Sequence, residues 1–430
     1  MSSDPGLTPR QAAINARFAF TGCIVAQTGV QLVAPSLPLM RDDLLLSNSQ
    51  LGLVMGIYLL PAAMGAIPAG MLADRIGRRR VFGWSYIMFG AIGVLLQLAT
   101  TSFGMFLVLR FAQGLAFAGL LPLTMTILGD AFRGSDLIRV QGRRSVAMLV
   151  GDGTLPMLGG VLASITWRAP WLGQLLAIPF GIAVLIKLTD PPALAVKARG
   201  AAFLSGLAQA FQTRAIIAMQ YASFLRMFLK FSILTFLPVL LLDVRDFSPA
   251  EAGLVVGGSA LIGIIPSLAA GRLAVLGRPT TFVAIGILGE AMALAVWGLF
   301  GAPIAIFFAA IIFGLADGLA GVFVNSIVAA TPKTEHRASF IAATGALRNF
   351  AKFLGPVTVG LLILAMSLPS TFVAMAVLTL LSVLLVVPLR GLDSRLQDVG
   401  GRDPSPGESQ AADQDEEANQ PSDAPIPGAP

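Results

Sequence analysis

A chain of 430 residues and 44.8 kDa has the length of two or three soluble domains, yet 56% of it is hydrophobic, 12% is charged and its mean hydropathy is +0.81. Water-soluble domains carry roughly 25% charged residues, so the composition places this chain in a bilayer. The net charge of +6 conceals an asymmetry: residues 391–430 hold nine acids against Arg395 and Arg402, which leaves 27 bases against 14 acids in residues 1–390.

The single cysteine, Cys23, excludes a disulfide framework and any Cys-based metal site. The single histidine, His336, removes His-dyad catalysis and His-rich metal binding, and the 10–11 connection around it reads as an exposed loop. Neither metal nor cofactor is expected, and the chain does not read as an enzyme. Residues 1–16 are polar and lack the short apolar core and small-residue cleavage site of a signal peptide, so the first span is expected to be retained.

A hydrocarbon core of about 30 Å needs about 20 helical residues. Taken in chain order, apolar stretches of that length fall at about 17–39, 51–73, 81–101, 104–128, 144–166, 170–189, 216–241, 252–275, 280–300, 303–330, 339–366 and 369–389. The expected fold is an all-α membrane protein of twelve transmembrane helices. With both termini inside, the cytoplasmic segments carry 21 bases, while the outer loops carry three, Arg41, Arg168 and Arg245. Basic residues are retained on the cytoplasmic side during insertion, so both termini are expected there, in a plasma (inner) membrane.

The expected organisation is a cytoplasmic segment 1–16, a six-helix half 17–189, a linker 190–213, a second six-helix half 214–390 and a tail 391–430. The linker opens with Asp190-Pro191-Pro192, which stops a helix. Phe203, Leu204, Leu207 and Phe211 within it share one helical face, which suggests a short helix on the membrane surface; a plain linker is the alternative. The tail is acidic and proline-rich and cannot bury a core.

Self-comparison shows a repeat with an offset of 200 to 201 residues. Span two opens Ser47-Asn48-Ser49-Gln50-Leu51-Gly52-Leu53-Val54, and span eight opens Ser248-Pro249-Ala250-Glu251-Ala252-Gly253-Leu254-Val255. Each reads as a capping box, Ser followed three residues later by Gln or Glu. Gly114 matches Gly314, Pro38 matches Pro238 and Pro156 matches Pro356. Two parallel repeats place a substrate site at their interface, with access alternating as one half rocks on the other.

Gly70-Met71-Leu72-Ala73-Asp74-Arg75-Ile76-Gly77-Arg78-Arg79-Arg80 resembles the loop 2–3 signature of the major facilitator superfamily. Arg110-Phe111-Ala112-Gln113-Gly114 is similar to its span-four motif, and Gly151-Asp152-Gly153-Thr154-Leu155-Pro156-Met157-Leu158-Gly159-Gly160 to the span-five motif of its twelve-span drug:proton antiporters. Leu155 departs from that pattern, as does a first span with Gln27 and Gln31 but no acid. The resemblance covers residues 17–390. It implies two pseudo-symmetric halves, a cavity lined by spans one, four, seven and ten, and a gate of Gly70, Asp74, Arg75, Gly77, Arg78 and Arg79 with Asp130 that latches the inner side.

A charge at mid-membrane costs about 2.5–3.5 kcal/mol on insertion scales. The spans nevertheless hold Arg110, Arg226, Lys230, Arg348 and Lys352 against Asp152, Glu290 and Asp317. Arg226/Lys230 and Arg348/Lys352 share the i, i+4 spacing that puts each pair on one helix face. Depth counting brings Asp152 near Lys352 or Arg110, which makes it the first candidate for a proton carrier, with Glu290 and Asp317 behind it. Glu290 lies in a span peripheral in that family, where a capped or headgroup-reaching role competes. Substrate contacts are expected from Gln27, Gln31, Arg110, Gln113, Arg226, Lys230, Asp317, Asn325, Arg348 and Lys352, the alternative being that the basic pairs only fix helix packing. No Gly-x4-Gly-Lys-Ser/Thr loop is present.

The expectation is a secondary active transporter, a proton-coupled exporter of amphipathic small organic molecules, acting as a monomer in the lipid bilayer and binding no nucleic acid. The alternatives are uptake or exchange of an organic anion, and a non-transporting membrane scaffold or sensor.

Overall fold

The computed structural model describes residues 7–98, 102–190, 213–330 and 337–392, which are helix and connection with no strand among them. Twelve long helices follow in order: α1 (Pro9–Asp43), α2 (Asn48–Ile76), α3 (Arg78–Leu98), α4 (Phe103–Ala131), α5 (Gly134–Ala163), α6 (Arg168–Lys187), α7 (Arg214–Arg245), α8 (Pro249–Leu276), α9 (Pro279–Leu299), α10 (Pro303–Ala330), α11 (Arg337–Leu362) and α12 (Leu368–Val386). Among the described residues, eleven helices are long and apolar enough to cross a membrane. The twelfth, α11, has 26 residues, and Arg348, Asn349 and Lys352 interrupt its apolar run. The expected surface helix around Phe203 to Phe211, His336 and the tail beyond 392 lie outside the described residues.

Local chemistry explains the helix boundaries. Ser47 and Ser248 cap α2 and α8, each accepting from the backbone N–H of Gln50 or Glu251, whose side chains accept in return from the Ser N–H at 2.8 Å. Thr8 and Gln11 form a third capping box at α1. Helices α1 and α5 start well before their apolar windows, because helical hydrogen bonding continues past the depth at which lipid demands apolar side chains.

Four helices are interrupted, and prolines lie at the breaks: α6 passes through a 3-10 turn, Gly173–Leu176, three residues before Pro179, and the other three are α1, α4 and α8. In α1, Pro35 and Pro38 supply no N–H to the carbonyls of Gln31 and Ala34, and the chain passes through a π turn, Thr28–Leu32, and a 3-10 turn, Ala34–Ser36. Helix α4 steps at Ala118 and Gly119, three residues before Pro122, and α8 steps at Gly263, three residues before Pro266.

Helices α1–α6 pack as one half and α7–α12 as the other, with α3 against α6 and α9 against α10 and α12. The outward face of α12 keeps Val377, Leu378, Leu380, Leu381, Leu384 and Leu385 half or more exposed, as a lipid-facing helix does. The halves meet chiefly through two pairs, α5 with α8 and α2 with α11, with further contacts from α1 to α7 and α8. Gly253 lies against the carbonyl of Pro156, Gly257 against that of Gly153 and Gly52 against that of Pro356, so close that a Cβ at any of them would collide. The residues matched by the internal repeat are therefore partners across the interface: the opening glycine of α8 meets the proline of α5, and that of α2 meets the proline of α11. Absence of side chains lets the backbones approach this closely.

Calling the end where α1 begins and α12 finishes the terminal end, these contacts all lie between mid-depth and the far end. There Arg41 at the end of α1 pairs with Asp243 near the end of α7, and Gly360 of α11 packs against Ser49. In the terminal parts of α2, α5, α8 and α11 the pattern reverses. A Cβ at Gly70, Gly142, Gly271 or Gly345 would meet nothing within 4 Å. The halves are closed together at the far end and diverge toward the termini, which leaves a cleft between them.

Candidate functional site

Six of the eight ionic groups of the spans, Asp152, Arg226, Lys230, Asp317, Arg348 and Lys352, converge at the closed end of this cleft. Asp152, midway along α5, accepts from Gln31 Nε2 of α1 at 2.8 Å and from Lys230 Nζ of α7 at 2.9 Å. Lys230 Nζ is also 3.9 Å from Asp317 of α10. Asp317 in turn holds Arg226, whose Nε lies 2.6 Å from Oδ1 and whose Nη2 lies 3.1 Å from Oδ2. Gln31, Asp152, Lys230, Asp317 and Arg226 thus form one chain across four helices, and the Asp152–Lys230 link joins the first half to the second. The two acids and two bases stay 14–19% exposed, so the chain borders the cleft rather than a sealed core.

The backbone explains why these residues meet. Pro156 removes the hydrogen bond that the Asp152 carbonyl would accept, and Pro356 does the same for Lys352. Each helix is thereby relieved of a bond at its charged residue. The π turn in α1 includes Gln31 and presents it to Asp152. The guanidinium of Arg226 lies against the bare backbone of Gly321, one turn beyond Asp317 on α10.

On α11, Arg348 Nη2 donates to Ser223 Oγ at 3.3 Å while its Nε is buried without a partner. Lys352 Nζ sits 5.3 Å from the centre of the Phe231 ring. Among the described residues no carboxylate lies within ion-pair distance of either. Of the two cations the depth count brings near Asp152, Lys352 and Arg110, neither holds it; Lys230 does, as the packing alternative for the basic pairs allows.

Arg110 and Gln113 are placed differently from the expected substrate contacts. Both are 0% exposed inside the first half. Arg110 donates to the carbonyls of Val54 and Gly29 and to Gln113 Oε1, between the rings of Tyr58 and Trp171, and Gln113 continues to Phe89 O and Gln174. Depth alone put Arg110 near Asp152; direction around the helix turned it the other way. Gln27 Nε2 donates to the carbonyls of Cys23 and Met148, joining α1 to α5, and Asn325 is exposed on α10 two turns nearer the terminal end than Asp317. Glu290 does not reach a headgroup: it is 1% exposed, and neither carboxylate oxygen has a hydrogen-bond partner among the described residues.

The gate residues assemble at the terminal end. Arg78, at the start of α3, is ion-paired with Asp130 of α4 and lies 3.3 Å from Asp74 of α2. All three belong to the first half, so in this conformation the cluster ties that half together and does not latch the two halves. Arg75 is exposed. Gly77 adopts φ +98°, which favours glycine, and Asp190, at the end of α6, accepts from the backbone N–H of Arg79 at 2.7 Å. Asp190 caps α3, a role the sequence reading missed because its partner is 111 residues away. Arg144 is a second omission: it is 7% exposed and bound to Thr124 Oγ1 at 2.6 Å and to Leu121 O.

A bundle of membrane-spanning helices in two repeated halves, closed at one end over a line of ionic groups, has the build of a membrane transporter. The chain belongs to the Major Facilitator Superfamily, whose family model matches residues 19–356. It is 30% identical to the bacillibactin exporter of Bacillus subtilis over 154 residues, 34% of this chain and 38% of that protein. It is 25% identical to the chloramphenicol resistance protein CraA of Acinetobacter baumannii over 279 residues, 61% of this chain and 67% of that one. The chain thus matches well under half the length of the first of these relatives. In fold it resembles the crystal structure of a bacterial homolog of the human lysosomal transporter Spinster in an inward-facing, unoccupied conformation, with TM-score 0.73 and 17% identity over 91% of this chain and 97% of that one.

Proposed function

We propose that this chain is a proton-coupled secondary transporter that exports amphipathic small organic molecules by alternating access. The observation that carries this reading is the Asp152–Lys230 ion pair, which joins the two halves at the closed end of the cleft. An ion pair partly withdrawn from water holds only while both partners are charged, and removing one charge leaves the other uncompensated, at a cost of about 3–5 kcal/mol. Protonation of Asp152 therefore releases the ionic contact between the halves at the closed end of the cleft, leaving the Arg41–Asp243 pair and the glycine crossings nearer the far end. This is how proton binding would be converted into movement of one half against the other.

The basic residues concentrated at the terminal end support a cytoplasmic terminal end, and on that reading this conformation is open inward, where an exporter loads its cargo. The names of the relatives, an exporter of bacillibactin and a chloramphenicol resistance protein, support outward transport. Both halves come from one chain, so a monomer is sufficient, in a plasma (inner) membrane.

The test is flux of an amphipathic probe into proteoliposomes under an imposed pH gradient. Wild-type flux is expected to follow the gradient. Asp152→Asn, which keeps the shape but cannot exchange a proton, is expected to lose that dependence while still exchanging probe at equal concentrations. Gradient-driven flux of normal size in Asp152→Asn would remove Asp152 as the carrier.

A further inference from the structure

Four cations surround the closed end of the cleft, and only two carboxylates reach them. Asp317 is taken by Arg226, and Asp152 by Lys230. Glu290, the remaining acid of α9, turns its two oxygens into a sealed site where they bond to nothing among the described residues. The ammonium of Lys352 thus faces an aromatic ring, and the Nε of Arg348, one turn away on the same face of α11, is buried unpartnered. Maintaining two such charges at membrane depth without counter-ions costs several kcal/mol. That cost is relieved when an anion sits between them.

Resting on the transporter reading above, we propose that Arg348 and Lys352 form the binding site for the charged end of the cargo, and that the cargo is an amphipathic organic carboxylate. The apolar body has surfaces to match: Phe231 beneath Lys352, and Phe353 beside it on α11, both partly buried. Arginine takes a carboxylate in a fork of two N–H groups, while lysine supplies a point charge, so the pair can grip one headgroup from two helical turns. A lipophilic cation finds the reverse, a cleft end whose only acids are already bound.

The cargo charge also sets the sense of coupling. A carboxylate arriving beside Lys352 draws Lys230, next in line on α7, away from Asp152. The freed Asp152 carboxylate then takes a proton from the water of the cleft, and gives it back when the anion leaves and Lys230 returns. Anion and proton load together, whereas a cation would compete with the proton for Asp152. The facing groups are Asp152 on α5, Arg226 and Lys230 on α7, Glu290 on α9, Asp317 on α10 and Arg348 on α11, and of these Asp152 alone comes from the first half. Such a carrier runs with the combined gradients of anion and proton: an inward proton gradient favours uptake, and export requires an outward carboxylate gradient that exceeds it.

Three probes with one body and different charge separate the possibilities: phenylpropionate, phenylpropylammonium and phenylpropionamide, measured by calorimetry on the purified full chain and by flux in proteoliposomes. Phenylpropionate is expected to bind in preference to the other two and more tightly as pH falls. Lys352→Met should weaken it by about tenfold or more, and Lys352→Arg should retain most of the affinity, which guards against a folding defect. Preference for phenylpropylammonium, equal binding of all three, no binding of any, or no effect of Lys352→Met would each overturn the anion site and leave the proton reading standing. Saturable phenylpropionate flux that depends on Lys352 but ignores the pH gradient would support the site and sink the proton reading.

Discussion

Glu290 and Arg110 show how far a charged residue in a span can be read from sequence. Both stood out as ions at membrane depth, but depth says nothing of direction around the helix, and both point into their own half. Arg110 meets Tyr58, Trp171 and two backbone carbonyls contributed by segments 50 to 80 residues away, which no local pattern encodes. We therefore expect Arg110→Ala to destabilise the fold by about 3 kcal/mol or more, since it leaves buried acceptors and a void. Lys352→Ala, which removes a charge with no counter-ion among the described residues, should hold or raise the melting temperature, and a thermal melt of the two variants side by side checks this. Glu290→Gln keeps the shape and removes an ionisable group from a site with no partner. Its melting temperature is expected to stay level or rise, with pH-driven flux retained; a clear fall in either would mean that Glu290 carries charge or protons there.

Among whole elements, the repeat was the most legible part of the fold. The paired capping boxes, the opening glycines of α2 and α8, and the prolines of α5 and α11 were all visible as matches at a fixed offset. What the offset did not say is that the glycine of one match would touch the proline of the other across the halves, Gly253 with Pro156 and Gly52 with Pro356. That follows only when the two halves are placed about a common axis. The π turn of α1 was not legible, because it arises from the combination of Pro35 and Pro38 with packing on α5 and has no composition of its own. The crossing of α5 and α8 gives a direct prediction. Gly253→Leu should push the far ends of the halves apart at a cost of about 1–3 kcal/mol, reducing transport several-fold with Asp152 and Lys230 intact. The same change at Gly70, where the space is open, should be tolerated in this conformation; flux and binding of one probe in the two variants make the comparison.

For the molecule as a whole, composition was enough to place the chain in a membrane and apolar length enough to count its helices, because lipid leaves a backbone few other solutions. The conformation was beyond the sequence: the same twelve helices with the same contacts inside each half can close at either end. The terminal end is open here, the far end is held by Arg41 with Asp243 and by glycine crossings, and Asp152 with Lys230 stands at the boundary. If that pair couples protons to shape, protonating one carboxylate must redistribute the two conformations. The most direct measurement is the distance between spin labels at positions 70 on α2 and 345 on α11, in lipid, at mildly alkaline and mildly acidic pH, for wild type and Asp152→Asn. The account predicts that acid shifts the wild-type distribution, and that Asp152→Asn adopts the acid distribution at both pH values. Identical distributions in all four samples, or a pH response undiminished in Asp152→Asn, would contradict it.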